Sequence, residues 1–163
     1  NYDAQDRLET YNTETFGYNL NGEMTSRTDS ATSQTTTYAY DALGNLKQVV
    51  LPSKTLNYKV DGFNRRVARL TGTTVNAYYL YEDQLRIAAV LNASRQITHR
   101  FIYGTKPNVP DYMIRSGTTF RIISDERGSV RFVVNASTGV VSQQIEYDEF
   151  GKVLSDTSPG FQP

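Results

Sequence analysis

YDALGNL, residues 40–46, sets an aromatic residue, an acid, two free positions, a glycine, a polar residue and an aliphatic residue in the order that closes a hairpin. Its Asp41 can accept hydrogen bonds from backbone amides two or three residues on, and Gly44 supplies a positive φ without steric penalty. One copy would be an ordinary turn between two strands. Many copies at one spacing would fix the architecture.

The first position of the motif recurs at Tyr2, Tyr18, Tyr40, Val60, Tyr81, Tyr103, Ser124 and Tyr147, at intervals near 21 residues. The acid or its amide follows at Asp3, Asn19, Asp41, Asp61, Asp125 and Asp148, and glycine stands at Gly22, Gly44, Gly128 and Gly151. Where glycine is missing, Asp6 and Asn64 replace it, and these residues tolerate the left-handed backbone better than other side chains. The copies at Tyr81 and Tyr103 are recognised mainly by spacing.

A second, less regular turn falls between motifs, at Pro52-Ser53-Lys54, Gly72-Thr73-Thr74, residues 92–95, Ser116-Gly117-Thr118 and residues 135–139. Each repeat therefore reads as two strands of about 6 to 8 residues and two turns, an antiparallel meander. Composition agrees: twelve Tyr, seven Phe and abundant Thr suit a pleated surface. Leu56, Tyr58 and Val60 alternate with Asn57, Lys59 and Asp61, as a half-buried strand requires. The best helical rival is residues 82–95, but the repeat phase puts a turn at each end of it, so it too reads as a strand. The expected fold class is all-β, an array of hairpins in a curved, spiralling antiparallel sheet. A two-stranded unit cannot bury its face alone, so stability must come from neighbour stacking, and open sheet edges predict self-association of the isolated chain.

The same residues exclude several functions. Seventeen basic and seventeen acidic side chains balance, leaving no global field for nucleic acid, and no run approaches the roughly 18 apolar residues of a membrane helix. There is no cysteine, which removes disulfides and thiolate metal sites. His99 is the one histidine and lies in a strand pattern, so no catalytic triad is expected. Asp125-Glu126 and Asp148-Glu149 fall at the motif phase and read as turn chemistry, without the spacing of a calcium loop. Arg65, Arg66, Arg69, Arg95, Arg100, Arg121, Arg127 and Arg131 read as solubilising charges interleaved with acids. No catalytic, cofactor or metal residue is predicted. Tyrosines flanked by Asn, Asp and Thr could instead stack on sugars, so a glycan-binding surface is the second reading.

The tyrosine-aspartate motif at this spacing resembles the YD repeats of the Rhs and teneurin superfamily. From residue 120 onward, FRIISDERGSVRFVVNASTG, IEYDEFGKVL and SPGFQP resemble the start of the Rhs repeat-associated core of bacterial polymorphic toxins. The resemblance implies one array over 1–163, with YD repeats over 1–119 and the core region from 120. It also implies a shell segment of a secreted or surface-delivered protein, with the rest of the shell and a C-terminal toxin as partners. A cell-surface adhesion module is the alternative. The ends, Asn1-Tyr2-Asp3 and Phe161-Gln162-Pro163, read as cuts within a longer protein. In bacterial relatives the core ends in an autoproteolytic segment with aspartate-containing motifs; no residue here matches it, so protease activity is not carried over.

Overall fold

The computed structural model describes all 163 residues and contains fifteen β-strands and no helix. The all-β hairpin array expected from the repeat is what forms, and the helical rival at residues 82–95 contains a strand. Two compact units share the chain, Asn1–Tyr78 and Tyr79–Pro163.

The first unit holds β1 (Thr10–Tyr11), β2 (Glu14–Tyr18), β3 (Met24–Asp29), β4 (Gln34–Tyr40), β5 (Leu46–Leu51), β6 (Lys54–Val60), β7 (Arg66–Thr71) and most of β8 (Thr74–Tyr81). Each strand pairs antiparallel with the next in sequence. The second unit holds β9 (Ile87–Leu91), β10 (Ile97–Ile102), β11 (Tyr112–Arg115), β12 (Thr118–Ser124), β13 (Val130–Asn135), β14 (Val141–Tyr147) and β15 (Val153–Asp156), paired in the same sequential way. Because alternate turns of a meander fall at the same end of the strands, within each unit the motif turns line one rim and the intermediate turns the other. The intermediate turns are tight: Pro52-Ser53, Gly72-Thr73 and Ser116-Gly117 each join two strands directly. Ser116 (φ 50°) and Gly117 (φ 77°) are both left-handed, the geometry that matches strand twist in a two-residue hairpin.

Strand length falls short of the expected 6 to 8 residues at β1, with two residues, at β11 and β15, with four each, and at β2 and β9, with five each. For β11 the cause is local. Pro107 and Pro110 cannot donate to a ladder, so pairing resumes only at Tyr112.

A further regularity lies in the register. Beside each of five motif hairpins the pairing slips by one: Ala39 faces Gln48 while Tyr40 faces Leu46, leaving Lys47 as an extra residue. The same slip leaves Thr25, Val67, Arg131 and Leu154 as extra residues. Each is a β-bulge at the eighth position of its motif, a device that bends the strand and adds local twist.

The cores are thin. In the first unit only Val49, Ala68, Leu70 and Ala77 are buried apolar residues. In the second, Met113, Phe120, Ile122 and Val133 form a cluster, with Phe101, Val130 and Phe161 packed against it. A lone sheet cannot seal its own face. Here Phe161 supplies cover from outside the strands, its ring set edge-on to Phe120 with centroids 5.0 Å apart.

Candidate functional site

The candidate site is the row of motif turns, and each is built on the same backbone scaffold. In the copy at residues 40–46, Asp41 N donates to Asn45 O (3.0 Å) and Gly44 N donates to Asp41 O (3.1 Å). Gly44, at φ 80°, takes the left-handed corner. Both bonds recur in the turns starting at Tyr2, Tyr18, Val60, Ser124 and Tyr147, with positive φ at Asp6, Gly22, Asn64, Gly128 and Gly151. This is a type I turn closed by a left-handed residue.

The carboxylate then finishes the turn. Asp41 accepts from Leu43 N and Asn45 N, both at 2.9 Å. Asp3, Asp61, Asp125 and Asp148 accept from the equivalent pair of amides, and in the copy at Tyr18 the Asn19 amide oxygen does the same. The second donor is four residues on, where the sequence suggested three. The left-handed fifth residue inserts an extra step and turns the amide after it back toward the acid.

The sixth position also binds the acid, through its side chain. Arg7 Nε reaches Asp3 at 2.6 Å, Arg65 Nε reaches Asp61 at 2.9 Å, and Asn45 Nδ2 reaches Asp41 at 3.1 Å. These bonds hold the carboxylates in their charged form. Backbone donation from the sixth residue is the main cause lowering Asp3 and Asp41, and the Arg65 side chain is the main cause for Asp61.

Two copies differ. At Tyr81 the acceptor is Asp83, one place later, which bonds Leu85 N and Arg86 N and is lowered to about 2, chiefly by donation from the Arg86 amide. After Tyr103 there is no tight turn; residues 104–110 form a loop stapled by buried Asp111, which accepts from Thr105 N and Thr105 Oγ1, both at 2.6 Å. Conversely, residues 91–97 repeat the motif scaffold at what the sequence assigned as an intermediate turn. Asn92 N donates to Gln96 O, Arg95 N to Asn92 O and Gln96 N to Asn92 Oδ1, with Arg95 at φ 63°. Its amide at the second position was the available signal; Leu91 in place of tyrosine and arginine in place of glycine concealed it.

The tyrosines link one repeat to the one before. Tyr18 Oη donates to Leu8 O, Tyr40 Oη to Met24 O and Tyr103 Oη to Ile87 O, at 2.9 to 3.1 Å. Each acceptor is the seventh residue of the preceding motif. Arginines cover the rings: Arg7 over Tyr18, Arg86 over Tyr103 and Arg131 over Tyr147, each from the preceding repeat, with Arg66 over Tyr58 and Arg121 over Tyr112. The sequence showed Arg66, Arg121 and Arg131 as surface charge and gave Arg7 and Arg86 no role, because nothing in one dimension reveals which ring a guanidinium overlies.

His99 has no carboxylate partner. Its Nδ1 meets Thr98 Oγ1 at 2.9 Å, its Nε2 is buried without a hydrogen bond, and burial, then Arg115, push its pKa down. No group of three or more acidic, histidine or cysteine residues is arranged to hold a metal ion. The geometry performs cross-linking within the chain: acid to amide inside each turn, hydroxyl and guanidinium between turns.

The sign of the acid shifts gives a prediction. Carboxylates with folded pKa values below their unfolded value of about 3.9 stabilise the protein above that pH, and the contribution is lost as pH falls through the folded values, to about 2 for Asp83. The carboxylates' contribution to the urea midpoint is therefore expected to hold steady from about pH 7 to 5 and to fall steeply below about 4. Asp41→Asn should flatten part of that fall; an unchanged acid profile would show that Asp41 adds nothing through its charge.

The teneurin YD-shell family model matches residues 1–163. Teneurin-3 of Danio rerio is 28% identical over 130 residues, covering 77% of this chain and 5% of that protein, and teneurin-1 of Gallus gallus is 25% identical over 152 residues, covering 91% and 5%. The chain thus spans a small part of the relatives it matches. The crystal structure of TcdB2-TccC3-Cdc42 aligns with a TM-score of 0.47 at 15% identity, over 95% of this chain and 7% of that one. Matched along its whole length by the model of a structural shell, the chain belongs to the teneurin YD-shell family.

Proposed function

We propose that this array is a wall segment of a shell that encloses a C-terminal toxin domain of a secreted or surface-delivered protein. What supports this is that its conspicuous polar groups, the motif acids and the hydroxyls of Tyr18, Tyr40 and Tyr103, are engaged within the array rather than presented around a cleft. In this reading the motif residues set repeat geometry, the rest of the shell pairs with the open edges, residues 1–119 are YD repeats, and the core region starts at 120. The array has no catalytic role. Containment follows from main-chain pairing, which makes a continuous barrier from a single layer of strands.

The test is protease protection of the C-terminal domain in the parent protein. It is expected to resist cleavage under native conditions and to be cut quickly when expressed alone. Equal cleavage rates in the two settings would overturn enclosure. The adhesion reading predicts instead that Tyr58→Ala loses sugar binding on a glycan array without unfolding. Against it, Arg66 lies 3.9 Å from the centroid of that ring and occupies a face a sugar would need.

A further inference from the structure

Turn tips stand in water and ordinarily carry polar residues, glycine or proline. Along the motif rim of the first unit three consecutive turns break that rule. Leu20, Leu43 and Phe63 stand at the tips of the turns starting at Tyr18, Tyr40 and Val60, each at least 68% exposed. The opposite rim of the same unit is built from small residues: its turns present Ala31-Thr32-Ser33, Pro52-Ser53 and Gly72-Thr73, all exposed. In the second unit Leu85 and Phe150 stand exposed at motif turns in the same way.

A single exposed apolar side chain is ordinary, whereas a row of them at fixed spacing marks a contact surface. Consecutive turns on one rim are two strands apart, about 10 Å. Bonds between neighbouring turns stiffen the motif row: Arg7 Nη1 donates to Asn19 O at 3.3 Å and Asn45 Nδ2 to Asn64 Oδ1 at 3.0 Å. On the other rim Ser30 N donates to Thr13 O and Gly72 N to Thr55 O, both at 2.8 Å. The two rims therefore share one pitch and differ in size, with large apolar tips on one and small seats on the other. We propose that the motif rim of the first unit docks on the intermediate rim of a second copy of this chain, Leu20, Leu43 and Phe63 resting on residues 31–33, 52–53 and 72–73. This goes beyond enclosure and does not depend on it.

Packing favours this pairing over motif rim against motif rim. The gaps between motif turns are already filled, by the Asn45–Asn64 bond and by Glu23, whose Oε1 would lie 3.1 Å from a Cβ at Gly44. A second row of large tips would find no slot there and would bury the Glu23 carboxylate. At the intermediate rim a Cβ built on Gly72 has nothing within 4 Å, and none of the seat residues is charged, so docking desolvates no charge on them. Arg65 lies 5.1 Å from the Phe63 ring centroid and still leaves that residue 68% exposed. Because two different surfaces meet, the contact is heterologous and copies add in an open series rather than closing as a dimer. Three anchors make an interface smaller than the standard of about 800 Å² per partner, so the association is weak.

Sedimentation velocity on the full chain, up to about 1 mM, tests this. The mean sedimentation coefficient is expected to rise with concentration and to pass the dimer value. The double substitution Leu43→Ser/Phe63→Ser, and separately Ser53→Arg/Thr73→Arg, should each weaken association at least roughly tenfold, while amide protection at Val49 and Ala68 shows the sheet intact. Mixing the two variants should restore a 1:1 pair and nothing larger, because one keeps the small rim and the other keeps the apolar rim. Four results would each overturn the proposal. The unmodified chain stays monomeric; association survives both double substitutions, and so belongs to the edges at β1 and β15; association is lost only in the motif-rim variant, so that motif rims meet each other; or the mixed variants do not pair.

Discussion

Met113→Ala is expected to destabilise the second unit by about 2 to 5 kcal/mol, read as a lowered urea midpoint, the usual range for deleting most of a fully buried long apolar side chain. Met113 is 0% exposed and sits among Phe120, Ile122 and Val133. The loss has two parts, transfer of the side chain from water and the void left behind. The void should persist, because backbone pairing on both sides of β11 fixes the flanking strands and leaves them little freedom to close it. Leu154→Ala is the control: Leu154 is 64% exposed, and its loss should change stability by about 0.5 kcal/mol or less. A Met113→Ala cost below about 1 kcal/mol would mean that this cluster does not hold the unit together.

Gly128→Val should be the most damaging change at a turn, with an expected cost of about 1 to 3 kcal/mol from backbone conformation alone. Gly128 has φ 91°, which a β-branched residue resists strongly. Packing adds to this, since a Cβ there would lie 3.0 Å from Val109 Cγ2 in the 104–110 loop. Gly151→Val provides the contrast. It has a similar φ of 85° but nothing within 4 Å of the added Cβ, so it should show the conformational part by itself. Matching urea midpoints for the two variants would show that contact with the 104–110 loop contributes nothing.

Much of the fold is legible because period and turn chemistry are local properties. Tyr40, Asp41 and Gly44 sit within five residues, and their spacing to the next copies survives substitution at Asp6 and Asn64. The bulges at Thr25, Lys47 and Val67 are not legible, because an unpaired residue differs from its neighbours only in what faces it across the strands. Arg7 and Arg86 stack on tyrosines distant in sequence, so their pairing needs the register first. Asp111 falls outside the motif phase, and its bonds go to Thr105 across a loop whose path proline leaves open. Phe161 likewise becomes part of a core only once the chain doubles back.

The tyrosine hydroxyl bonds reach back by one repeat and no further: Tyr18 to Leu8, Tyr40 to Met24, Tyr103 to Ile87. Such an arrangement has a grammar of whole words. Duplicating or deleting a complete repeat leaves every tyrosine an equivalent carbonyl, whereas one inserted residue misaligns a hydroxyl and shifts the following strand by half a pleat. Genes encoding such arrays can therefore grow and shrink by whole repeats, and length changes within a repeat should be confined to its turns, as in the 104–110 loop.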